Sequence, residues 1–110
     1  MFTKQSADVV AQAHLREVER EMDFFGSALP ENKDRPSQAL VITRTVEEDF
    51  GWVYFYNSRE FVESEDFLHS LAGNAPFIVC RTDGRLYSTG TACPIEHYIE
   101  EFRSGVRRAL

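Results

Sequence analysis

The sequence is poor in the residues that build covalent or metal-bound frameworks. It has two cysteines, Cys80 and Cys93, and three histidines, His14, His69 and His97. Two cysteines without a Cys-x-x-Cys spacing exclude a disulfide scaffold and a zinc ribbon, and fit a reducing, cytoplasmic setting. Long apolar runs are missing too. No stretch approaches the roughly 18 consecutive apolar residues of a membrane-spanning helix, and the first residues lack the basic-then-apolar order of a signal peptide. No Gly-rich phosphate loop or dinucleotide fingerprint occurs, since Gly84 and Gly90 flank a single short strand. Basic residues are scarce: 12 Lys and Arg against 18 Asp and Glu give a net charge of −6. A binder of nucleic acid or of an anionic membrane needs a basic face, so both are excluded as partners.

What is present is an ordinary globular composition, 43% hydrophobic and 13% aromatic over 110 residues. That length holds one domain, residues 1–110, with an N-terminal helix and loop to residue 38 and a sheet-containing remainder. The charge is uneven. Residues 39–74 carry Glu47, Glu48, Asp49, Glu60, Glu63, Glu65 and Asp66 against Arg44 and Arg59, a net −5. Such a segment suits a basic partner, and it also serves simply to keep a small protein soluble.

Ser6 is a candidate N-cap, and Ala11, Leu15, Val18, Met22 and Phe25 recur in steps of four and three. This spacing predicts an amphipathic helix over 6–25, stopped near Gly26. Pro30 and Pro36 mark 27–38 as a loop. Alternation over 39–46 predicts a strand with Leu40, Ile42 and Val46 on one face. Glu47-Glu48-Asp49 reads as the turn into a second strand over 50–57. Both faces of that strand, Val53/Phe55 and Trp52/Tyr54/Tyr56, are apolar or aromatic, so it belongs in the middle of a sheet. Residues 58–71 form a crossing segment with a short helix, and Gly73-Asn74-Ala75-Pro76 a turn. Asp83-Gly84 predicts a two-residue hairpin between strands at 76–81 and 85–90, setting Cys80 opposite Tyr87. Pro94 opens a second helix over 94–106 with Ile95, Tyr98, Ile99 and Phe102 on its apolar side. The expected fold is α+β, α-β-β-β-β-α, a four-stranded antiparallel sheet with helices on one face.

Chemistry is sparse. Cys93 and His97 stand four apart and could share a metal, but two ligands do not make a site, and Cys80 or Glu101 would have to complete it. Cys80 or Cys93 with His97 would be a nucleophile pair, yet Cys80 lies in an apolar strand where thiols are buried and inert. Three adjacent carboxylates at 47–49 lack an apolar wall that would raise a pKa. No catalytic residue, cofactor or metal is therefore expected. Surface recognition is what remains, with Glu47, Glu48, Asp49, Glu63, Glu65 and Asp66 as acidic contacts. Trp52, Tyr54 and Tyr56 on one side of the second strand are either covered as core by the helices or the 58–71 segment, or serve as interface anchors. Trp52, near its strand's end, is the one of the three best placed to reach solvent as an anchor.

Several separated motifs, in order, resemble the immunity protein 35 (YrhB-like) family. They are Gly51-Trp52-Val53-Tyr54-Phe55-Tyr56-Asn57-Ser58, Leu71-Ala72-Gly73-Asn74-Ala75-Pro76, Asp83-Gly84, Gly90-Thr91-Ala92 and Glu96-His97-Tyr98-Ile99. The resemblance spans about residues 38–102 and leaves the first helix unmatched. Cys80 departs from it, standing where an acidic residue is expected. The resemblance implies a non-enzymatic, cytoplasmic module of bacterial polymorphic toxin systems that neutralises a cognate toxin by binding it. A basic toxin such as a nuclease would suit the acidic segment. A YrhB branch described as heat-stable and chaperone-like makes a general chaperone or assembly factor the alternative. A homodimer is compatible with either.

Overall fold

The computed structural model describes residues 2–27, 39–65 and 75–110, with 22–27 and Glu60 described by backbone alone. The predicted 27–38 loop beyond Ser27, the Gly73-Asn74 half of the turn, and the apolar residues Phe67, Leu68 and Leu71 lie outside the described residues, as do Asp66 and His69.

The element order is α1 (Lys4–Ser27), β1 (Leu40–Glu48), β2 (Gly51–Ser58), α2 (Arg59–Ser64), β3 (Phe77–Cys80), β4 (Leu86–Ser88) and α3 (Ile95–Arg103). The four strands make one antiparallel sheet in the order β1-β2-β3-β4, with helices before and after it. The expected α+β fold is therefore the one observed, and β2 is interior as its two apolar faces require.

The helices do not share a face. Ala7, Ala11 and Leu15 of α1 pack with Leu40, Trp52, Tyr54, Phe77 and Val79. Phe102, Ile95 and Ile99 of α3 pack with Val53, Ile78, Cys80 and Tyr87, residues of opposite parity along the same strands. The sheet is thus sandwiched between α1 and α3, which corrects the one-face arrangement expected from the sequence. The physical reason lies in β2 and β3: a strand apolar on both sides needs a cover on both.

Local signals moved in informative ways. Helix α1 starts two residues earlier than expected, because Thr3 rather than Ser6 caps it: the Ser6 N–H donates to Thr3 Oγ1 at 3.2 Å. It also runs past Gly26 to Ser27. A bulge interrupts β1, where Ile42 pairs with Tyr56 but Arg44 pairs with Phe55. The extra residue, Thr43, reverses the facing of everything after it. Ile42 therefore packs on the α1 side and Val46 on the α3 side, although the sequence pattern put them together.

The β3–β4 connection is longer than the predicted two-residue turn. The Cys80 N–H donates to the Arg85 carbonyl at 3.0 Å and the Gly84 N–H to the Cys80 carbonyl at 2.8 Å, leaving Arg81–Gly84 as the loop. Tyr87 consequently faces Ile78, not Cys80. Gly84, at φ +68°, takes the left-handed position that this loop demands. The Asp83 carboxylate holds the return by accepting from the Arg85 N–H at 2.8 Å and from the Tyr87 hydroxyl at 2.7 Å. After β2, Ser58 caps α2 by accepting the Phe61 N–H, and Glu65 ends it in the left-handed conformation at φ 57°. The predicted short helix is thus present.

Candidate functional site

The acids singled out in the sequence fall at two opposite ends of the β1–β2 ribbon. Glu47, Glu48 and Asp49 lie at its closed tip, but only Asp49 and Phe50 form the turn, since Glu48 still pairs with Gly51. Glu63 and Glu65 are exposed on and just after α2, which follows the ribbon's open end. Eight strand residues separate the two groups, a span of about 25 Å. They do not form one patch.

Two arginines organise the tip. Arg81 reaches from the β3–β4 loop to the Glu47 carboxylate at 3.1 Å and to the Glu48 carbonyl at 3.0 Å. Arg103, the last residue of α3, binds the Glu48 carboxylate at 2.6 Å, Asp49 at 3.3 Å and Glu100 at 3.1 Å. Partial burial works against the Arg103 guanidinium, but its three carboxylate neighbours keep its pKa above the ordinary arginine value. The expected free, solvated acidic turn is thus a paired network. It nevertheless holds four carboxylates against two guanidinium groups, so the tip stays negative. Asp49 and Glu47 keep 78% and 62% of their side chains in solvent, while Glu48 keeps 21%.

Trp52 is not the aromatic that reaches this surface. It is 1% exposed, packed beneath α1 with Arg81 lying 4.5 Å above its ring. Its indole N–H finds no acceptor among the described residues. Of the two expectations for Trp52, core and solvent-reaching anchor, the structure has the core: it points to the α1 face, and Phe2 and Arg81 of the neighbouring segments close over that end of the sheet. The aromatic at the tip is Phe50, half-buried, its ring tilted 45° to that of Phe102 at 4.7 Å between centres, with Arg103 5.7 Å from its ring centre. Phe50, Arg81 and Arg103 are the residues that pattern reading missed. Charge complementarity to the 47–49 acids was the available signal, but three-dimensional proximity over 34 and 54 positions is not visible in a linear pattern.

The cysteine and histidine options resolve locally. Cys93 is exposed and free, and Cys80 is buried and free, its sulfur 3.2 Å from the Thr82 hydroxyl. His97 pairs its Nε2 with Glu101 at 2.6 Å, and Glu101 also binds Arg108 at 2.5 Å. The Arg108 hydrogen bond is the main reason the Glu101 carboxyl titrates below its usual range. Among the described residues no group of three or more His, Cys, Asp or Glu side chains could hold a metal ion, and no helix is long and apolar enough to cross a membrane.

The motif glycines have steric reasons. A Cβ on Gly51 would lie 2.1 Å from the Val79 carbonyl oxygen, and one on Gly90 2.5 Å from the Tyr98 hydroxyl. That hydroxyl accepts the Cys93 N–H at 3.3 Å, so Gly90 and Tyr98 together seat the start of α3. These contacts join the separated sequence motifs into one framework. A family model described as immunity protein 35 matches residues 6–103.

The chain belongs to the immunity protein 35 family. The match extends over α1 from Ser6 onward, beyond the motifs that lie between residues 38 and 102. Escherichia coli K12 carries a relative, the uncharacterised protein YrhB, 44% identical over 52 residues. Those residues are 47% of this chain and 55% of YrhB, so the similarity spans about half the length of each. No solved structure matches the chain. Within the immunity protein 35 framework, Cys80 is a core residue of the α3 face rather than a surface contact.

Proposed function

We propose that this immunity protein 35 family member neutralises a cognate bacterial toxin, in the cytoplasm, by non-covalent binding through the β1–β2 tip and without catalysis. The observation that carries this reading is the tip itself: four carboxylates, oriented by Arg81 and Arg103 around the half-buried ring of Phe50. Carboxylates already held by arginines lose little conformational freedom when a partner docks. Their excess negative charge would steer a basic toxin surface, such as the substrate groove of a nuclease, onto the tip and block it. Glu63 and Glu65, at the far end, form a second and separate acidic contact for a partner large enough to span the sheet.

A general chaperone would need a contiguous apolar surface for clients. Among the described residues the exposed large hydrophobics are Val9, Val62, Val106 and Leu110, spread over α1, α2 and the C-terminal tail. That distribution favours a specific binder. The test is co-expression with a toxin domain encoded beside the gene. Growth should be rescued and a one-to-one complex should copurify. Unabated toxicity, with suppression of aggregation of unrelated proteins instead, would sink the reading.

A further inference from the structure

The two edges of the sheet are treated differently. On the β4 side the C-terminal tail lies alongside and forms an isolated bridge. Ser88 N–H donates to the Arg108 carbonyl at 2.6 Å, Leu110 N–H donates to the Leu86 carbonyl at 3.1 Å, and Tyr87 bridges Ala109. That edge is closed. On the β1 side, among the described residues, only the start is closed: the Leu40 N–H donates to Glu19 at 2.8 Å, and its carbonyl accepts from Arg16 at 2.9 Å, both from α1. From Thr43 to Glu48 no described strand pairs with the outer side of β1.

The hairpin fixes which groups face outward there. In a two-residue hairpin the pair beside the turn, Glu48 and Gly51, exchanges both hydrogen bonds, and every second pair does the same. Arg44, Val46 and Glu48 therefore bond to β2, and Thr45 and Glu47 turn their N–H and carbonyl groups away from it. An open strand edge with unpaired backbone groups is a template for strand addition.

The geometry points to a second copy of this chain as the occupant, pairing β1 with β1 antiparallel about a two-fold axis at Val46. This inference does not draw on the toxin-binding reading, although the pairing takes in Glu47 and Glu48 of the same tip. In that register Thr45 and Glu47 of each copy exchange backbone hydrogen bonds with Glu47 and Thr45 of the other. Arg44 then stands opposite Glu48 of the second copy, twice, on the α3 face. Neighbouring symmetric registers are worse. An axis at Arg44 or Glu47 sets like charges directly opposite, and an axis at Thr45 sets Arg44 against Val46. Registers nearer Leu40 meet backbone groups that α1 already occupies. The result is a continuous eight-stranded sheet.

The full chain is tested by sedimentation equilibrium and by cross-linking. Wild type should show a monomer–dimer equilibrium. Arg44→Glu, which places acid opposite acid, should weaken it at least tenfold, with an unchanged melting temperature at dilutions where both proteins are monomeric. Thr45→Pro, which removes an outward N–H and no β1–β2 bond, should weaken it similarly. Val46→Cys in a Cys93→Ser background should form an intermolecular disulfide on mild oxidation, because a pair on the axis without hydrogen bonds has Cα atoms about 4.5 Å apart. A protein that stays monomeric up to about 1 mM overturns the inference. So does a dimer that resists Arg44→Glu and never cross-links through position 46. A monomer whose Thr45→Pro variant loses toxin binding would assign the edge to a toxin strand instead, and also overturns it.

Discussion

The hydroxyl of Tyr54, buried in the middle of the sheet, donates a 2.7 Å hydrogen bond to Asp8 on α1, 46 positions away. Asp8 also binds Lys4 at 2.9 Å. Partial burial acts to raise the Asp8 pKa, but the bonds from Tyr54 and Lys4 outweigh it and leave it lowered. Burial and the Asp8 carboxylate together push the Tyr54 phenol well above its usual value, so it stays a donor at any physiological pH. Tyr54→Phe should cost about 1.5–3 kcal/mol at neutral pH, the worth of a hydrogen bond to a charged group. A depressed carboxylate pKa stabilises above the unfolded value near 4 and loses that contribution as pH falls through the folded value. Urea midpoints of the two proteins should therefore differ at neutral pH and converge in strong acid.

His14 makes the pH dependence at higher pH. Its ring packs edge-on against Phe77 at 4.7 Å. Burial there lowers its pKa below 6.5, while the neighbouring Glu17 and Glu21 pull the other way. Between the folded and unfolded values the unfolded chain binds more protons, so stability falls as pH falls from about 6.5. His14→Gln should remove this slope. Urea titrations at pH steps from about 8 to 5 check it: a wild-type midpoint as flat as the variant's would refute the assignment.

Gly51 and Gly105 both have positive φ but should respond very differently to alanine. At Gly51, φ is +152° and the added Cβ would meet the Val79 carbonyl oxygen at 2.1 Å, so β2 and β3 must separate. At Gly105, φ is +106° and nothing lies within 4 Å. Gly51→Ala should cost more than about 3 kcal/mol or prevent folding, and Gly105→Ala about 1–2 kcal/mol of backbone strain alone. Thermal melts of the two variants give the comparison directly.

Elements and their order were readable because each has a dominant local signal: the three-four spacing of Ala11, Leu15 and Val18, the alternation from Leu40, and Pro94 ahead of Ile95. What failed were features decided by a single backbone insertion or by distant contacts. The bulge at Thr43 leaves no mark in composition, yet it moves Val46 to the other side of the sheet. The loop at Arg81–Gly84 contains the same Asp-Gly that marks a tighter turn. The site suffered most, since an acid looks the same in a sequence whether water or Arg103 surrounds it. The choice between core and surface for Trp52 stays open in the sequence for a related reason: its position near a strand end suggests exposure, while Arg81, 29 positions on in sequence, covers its ring.

The burial of Trp52 and the partial exposure of Phe50 separate two effects that a single binding measurement would merge. Trp52→Ala empties a large site under α1 and should cost about 3–5 kcal/mol of stability, with any loss of affinity following from unfolding. Phe50→Ala removes a ring that packs on Phe102 from the solvent side, so the fold should tolerate it better. If Phe50 is the anchor of the tip, its loss should speed dissociation from the toxin by an amount equivalent to about 1–3 kcal/mol, with little change in association. Asp49→Lys acts on the opposite rate. It reverses a charge that stands largely in water beside Arg103, so association should slow and should lose most of its salt dependence, while dissociation changes little. Stopped-flow association and dissociation rates at two ionic strengths, with thermal melts of each variant, test the pattern. Equal rates for the Phe50→Ala, Asp49→Lys and wild-type proteins would remove the tip from the interface.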